Sequence, residues 1–206
     1  MKVWANVKKV TLGGMFVGVM MAVSTVSMTG CLTNDKTTDT TKTDTTHHTA
    51  LVAGTSLTIG AQGHPTYGSV IDIDAGTALT SIQANAAQST IDLVFLFYGN
   101  AFHLLDAVNA KAAGLAQTPQ INLTNSYDDA QIQHVDMVKV TTKPADQEAA
   151  KAAFTAGSKI HESTVVAGDM FLVMSTGGKL ALVTMSSITG TDKAAAGSVL
   201  LQVNTI

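Results

Sequence analysis

From Val10 to Met28 the chain carries 19 residues without a charge, preceded by Lys2, Lys8 and Lys9 and followed by Thr29-Gly30-Cys31. A cationic start, an apolar middle and small residues at the exit are the parts of an export signal, which contributes nothing to a soluble core. The uncharged length would also suffice to span a bilayer. Gly13, Gly14, Gly18, Ser24, Thr25 and Ser27 dilute its hydrophobicity, however, and small residues at the exit are what a signal peptidase needs. The expectation is a leader over residues 1–30, removed on export, with Cys31 as the first residue of the mature protein.

The string Ser27-Met28-Thr29-Gly30-Cys31 resembles the lipobox of bacterial lipoproteins, with Met28 where leucine is commonest. That resemblance implies a diacylglyceryl group on the Cys31 thiol, cleavage after Gly30 and acylation of the new amino group. One acyl chain holds a protein to a membrane only marginally, whereas two or more hold it stably. The implied place is the cell envelope, and Leu32 rather than aspartate after the cysteine resembles the enterobacterial sorting pattern that permits transport to the outer membrane. Cys31 is the only cysteine, which excludes an internal disulfide, a cysteine-based zinc site and redox exchange between thiols.

Residues 31–50 read as a solvated tether. Nine of the nineteen residues after Cys31 are threonine and none is aromatic, too little apolar area to offset the entropy of ordering the segment. Asp39-Thr40-Thr41 and Asp44-Thr45-Thr46 resemble the O-glycan acceptor pattern of Bacteroidota secreted proteins; the alternative is a merely polar linker. His47-His48 is assigned no role.

Residues 51–206 are enough for one globular domain. The chain has no arginine; nine of its twelve lysines follow Cys31, against fifteen acidic residues, for a mature net charge near −6. Nucleic acid is thereby excluded as a partner, since phosphates are held by clustered cations and base edges by arginine forks.

Short β patterns occur at Ser56–Ile59 and Gly68–Asp74, and Thr80-Ser81-Ile82-Gln83 is a capping box for a helix through Gln88. Ile91–Tyr98 (IDLVFLFY) is apolar on both faces except at Asp92, the pattern of a central strand covered on both sides. Asp106 caps a helix ended by Gly114, a polar passage runs from Gln117 to Gln131, and a strand is expected over His134–Val140. Pro144, Asp146 and Glu148 suit the start of a helix that Gly157 ends, with Ala149, Ala150, Ala153 and Phe154 as its buried stripe. Met170–Ser175 and Lys179–Ile188 are joined around Gly177-Gly178 as a hairpin, and Val199–Val203 is a final strand. The predicted fold is α+β, a single mixed, largely antiparallel sheet with about three helices, a C-terminal hairpin and a last strand.

The glycine-led strand Gly68–Ile73, the Ile91-Asp92-Leu93 strand and the late Gly168-Asp169 and Gly178-Lys179 hairpin resemble, in this order, a domain of uncharacterised Bacteroidota-type lipoproteins. The resemblance spans most of Gly54–Ile206, implies a shared fold and brings no activity with it. Nucleophile elbows, phosphate loops and dinucleotide fingerprints are absent, and Val165 stands where a His161-Glu162 zinc motif needs its second histidine. No catalytic residue, cofactor or metal is expected.

Polar candidates are nevertheless definable. Asp72 and Asp74, two apart, share one face if both lie on a strand, a spacing that would suit a calcium pair or acid/base work on a glycoside. Asp92 needs a partner inside its apolar strand, and His134 with Asp136 would supply one if their strands are neighbours. Tyr67, Tyr98, Tyr127 and Phe102 are the available stacking surfaces, because the sole tryptophan, Trp4, lies in the leader. The expected function is a membrane-anchored envelope module binding a protein or a glycan; the alternative is an envelope hydrolase acting on a glycan through Asp72, Asp74 and Asp92.

Overall fold

The computed structural model describes residues 49–113, 126–190 and 197–206, all within one compact unit, Thr45–Ile206. The leader, Cys31, the tether through His48 with its threonine triplets, and residues 114–125 of the Gly114 helix end and polar passage lie outside the described residues. No described helix is long and apolar enough to cross a membrane.

Among the described residues ten strands form two antiparallel sheets, which corrects the single sheet read from the sequence. One has the order β1 (Thr55–Gly60), β10 (Ser198–Thr205), β9 (Leu180–Thr189), β8 (Met170–Met174), β6 (Met137–Val140). The other runs β3 (Thr77–Leu79), β2 (Val70–Asp72), β4 (Leu93–Tyr98), β5 (Ala101–Leu105), β7 (Glu162–Thr164). Among the described residues there are three helices, α1 (Ser81–Ala86), α2 (Ala107–Ala112) and α3 (Gln147–Ala156); α1 stops two residues short of the expected Gln88, which instead begins a 3₁₀ turn, Gln88–Thr90.

Strand alternation explains the layering. In β4, Leu93 and Phe95 meet Phe171, Val183 and Leu201 in a core shared by both sheets, while Val94 and Leu96 join Ala84, Ala107, Ala110, Tyr127 and Ile132 in a second core beneath α1 and α2. The first sheet does the same in reverse. Phe171 and Val173 face the shared core, and Leu172 and Leu182 face Ala150 and Phe154 of α3. The order of layers is helices, sheet, sheet, helix, and β4, central in its sheet, is covered on both faces as its apolar run predicts.

Caps behave as the sequence indicates. Thr80 and Gln83 form a reciprocal capping box, Asp106 accepts from the Asn109 N–H, and Asp146 accepts from the Ala149 N–H. Pro144 precedes the α3 cap and is not in its first turn; Ala150 and Phe154 are the buried part of its stripe, with Ala149 and Ala153 half-buried. The hairpin between β4 and β5 has no counterpart in the predicted elements. Its turn residues Gly99 and Asn100 both have positive φ (56° and 68°), the geometry of a two-residue type I′ turn. In the β8–β9 turn only Gly178 has positive φ (82°), whereas Gly177 is needed because a Cβ there would lie 2.2 Å from the Asp74 carboxylate.

Candidate functional site

Asp72, Asp74 and Asp92 are brought together, with one oxygen of each within 4.8 Å of the others. The shared strand face expected for the first two does not form, because β2 ends at Asp72 and Asp74 sits in the following turn. Each carboxylate is engaged in bracing the fold. Asp92, with no exposure, accepts from the Ile73 and Thr176 N–H groups, both at 2.6 Å. Asp74 accepts from the Ser175 hydroxyl and the Gly177 N–H, and Asp72 accepts from the Ala75 N–H. Asp74 and Asp92 thereby fasten the β8–β9 hairpin of one sheet to the β2–β3 turn of the other, and Asp72 braces that turn from within. Burial, opposed by the two backbone donors and reinforced by the Asp74 charge, pushes the Asp92 carboxyl up to about 6.

His134 and Asp136 are not on a strand and do not reach Asp92. Both lie in the segment preceding β6, which starts at Met137. Their partners are Asp106 and His161, residues read from the sequence only as a cap and as part of a failed zinc motif. The fully buried Asp106 carboxylate uses Oδ1 to cap α2. Its Oδ2 lies 2.7 Å from His134 Nδ1 and 3.3 Å from His161 Nδ1, and it also accepts from the Val135 N–H. The two rings sit 4.5 Å apart, and Asp136 approaches His161 Nε2 at 4.0 Å. Asp106 was legible as an N-cap, but three ligand atoms from distant segments leave no spacing signal in a sequence.

Of the four aromatic candidates, three are withdrawn from solvent-facing stacking. Phe102 is a core residue against Phe95 and Phe97, and Tyr98 lies on the His103 ring with its hydroxyl on Glu162. Tyr127 is buried in the second core, its hydroxyl without a hydrogen-bond partner among the described residues, and burial pushes it up to about 12. Tyr67 is different, being 42% exposed at the rim of a cleft of about 260 Å³.

That cleft is made by a closed loop and the start of α1. The Gly60 N–H donates to the Gly68 carbonyl, which pinches residues 61–67 into a compact loop. Gly68 runs so close to β3 that a Cβ would lie 2.1 Å from the Leu79 oxygen. Gln62 pins the loop to β4 by a two-way bond with the Phe97 main chain. Within the loop, His64 Nδ1 accepts from the Thr66 and Tyr67 N–H groups, which places the proton of the neutral ring on Nε2. Tyr67 stacks on that ring at 4.7 Å. Ile82, 77% exposed, stands on the opposite wall.

No family model, curated protein or solved structure matches this chain.

Proposed function

We propose that the protein is a lipid-anchored module of the cell envelope that binds a glycan in the cleft between the 61–67 loop and α1. The observation that carries the ligand class is the stacked His64–Tyr67 pair. It offers an aromatic surface held in place by backbone hydrogen bonds, with a polar imidazole edge beside it and the apolar Ile82 opposite. Sugars present alternating apolar C–H faces and hydroxyl edges, and an amphipathic aromatic rim serves both. The cleft volume falls slightly below the usual range for drug-sized ligands, in keeping with one sugar ring engaged at a time. The anchor rests on the leader, Cys31 and the threonine-rich tether, and outer-membrane residence on Leu32.

Hydrolysis through Asp72, Asp74 and Asp92 is the less favoured reading, because oxygens of all three are already committed to donors within the fold. The binding reading is tested by calorimetric titration of the purified full chain in detergent with envelope oligosaccharides. Saccharide binding that weakens about tenfold in Tyr67→Ala is expected, equivalent to about 1.4 kcal/mol of stacking. Affinity indifferent to Tyr67→Ala, or no saccharide binding at all, would refute it.

A further inference from the structure

We propose that Asp106, His134 and His161 form a binding site for a divalent transition-metal ion of the zinc class, independent of the glycan cleft. The three donors come from segments far apart in sequence: the β5–α2 junction, the segment before β6, and the residue before β7. Their ligand atoms lie within 4.8 Å of one another.

The spacing fits the ion. Bonds of about 2.0–2.1 Å in tetrahedral geometry separate neighbouring ligand atoms by roughly 3.3 Å. His161 Nδ1 already stands 3.3 Å from Asp106 Oδ2. His134 Nδ1, at 2.7 Å, must retreat by roughly 0.6 Å to reach that separation, and its half-exposed side chain is free to do so. Two nitrogen donors and one oxygen select a borderline ion such as Zn²⁺ over hard Ca²⁺ or Mg²⁺, which take all-oxygen shells.

The surroundings orient the ligands. The Asp106 N–H donates to the His161 carbonyl at 3.0 Å, locking the two backbones together, and Ile160 is paired in both directions with Met137. The Asn109 N–H holds Asp106 Oδ1, which leaves Oδ2 directed at both rings. Asp136 lies beside Nε2 of His161, the nitrogen away from Asp106, where an outer carboxylate fixes the tautomer of a metal-bound imidazole. On binding, the ion replaces the Nδ1 protons; a neutral imidazole moves its proton to Nε2, and His161 gives up its contact with the Val135 carbonyl. Three protein donors leave a fourth position for water or an exogenous ligand.

The test titrates Zn²⁺ into the full chain against a colorimetric chelator, with Co²⁺ as a spectroscopic substitute and Ca²⁺ as a control. One Zn²⁺ per chain is expected, with tetrahedral Co²⁺ bands and no competition from Ca²⁺. His134→Ala and His161→Ala should each weaken binding by at least tenfold, and Asp136→Asn by about tenfold. A double change of His47 and His48 to alanine should leave it intact. Asp106→Asn disturbs a buried cap, so the deciding variant is His134→Ala, whose metal-free melt should fall by no more than the loss of one hydrogen bond to Asp106 and whose folded state is checked by circular dichroism before the titration. The proposal is overturned if Zn²⁺ is not bound, if binding survives His134→Ala unchanged, or if it vanishes with His47 and His48, which would place it on the tether.

Discussion

Asp92 holds its two backbone donors at the cost of a raised carboxyl, and this gives stability a pH dependence whose sign is fixed. A carboxyl near 6 in the folded protein and near 3.8 when unfolded binds more protons folded than unfolded between those values. The penalty of ionising it is therefore fully present above pH 6 and absent below about pH 4, so this group makes the protein more stable as pH falls through that window. Two pH units correspond to about 3 kcal/mol as an upper figure. Denaturant unfolding at pH 7 and pH 4.5 should show the wild type gaining stability relative to Asp92→Asn, which does not titrate; parallel curves would remove Asp92 as the cause. The need for a partner is legible from IDLVFLFY, where Asp92 is the only charge. The identity of the partner is not, because Ile73 contributes only a main-chain N–H, which any residue but proline has, and Thr176 brings its N–H and its side chain from 84 residues away. His134 and Asp136 are more conspicuous partners in a sequence, and they serve Asp106 and His161 instead.

Helix caps and turns are the elements that local chemistry determines most directly, and they respond to single changes accordingly. Thr80→Ala removes one half of an exposed capping box and should cost about 1 kcal/mol in chemical denaturation. Asp106→Ala should cost more, roughly 2–3 kcal/mol, because it removes a cap and also strips a buried acceptor from the Val135 N–H and both imidazoles. Equal losses at the two positions would contradict the central place given to Asp106. At the β4–β5 turn, Asn100→Val forces a β-branched residue into positive φ and should destabilise by about 1–2 kcal/mol, whereas Asn100→Gly should be tolerated. The caps were readable because donor and acceptor lie three residues apart. The β4–β5 hairpin was overlooked because Gly99-Asn100 follows a run so apolar that the strand reads as ending in a loop, although paired glycine and asparagine between Tyr98 and Ala101 are themselves a type I′ signal.

At the scale of the molecule, apolar and polar alternation reports which face of a strand is buried but not what buries it. β4 reads correctly as covered on both faces, yet a second sheet and a helix hide a side chain equally well, so the pattern implies one sheet where two stack around Phe95, Phe171 and Val183. The short strands β3 and β7, three residues each, carry too little pattern to reveal the second sheet's edges. The cleft was half legible: Tyr67 could be named, but its exposure and its stacking on His64 depend on a loop closed by a backbone bond between Gly60 and Gly68. The proposed envelope location of the domain rests on Cys31. Metabolic labelling of cells expressing the full chain with a tagged fatty acid tests that claim most directly. Label on the wild-type protein and none on Cys31→Ala is the expected result; an unlabelled wild type, or a Cys31→Ala protein that still takes up label, would contradict it.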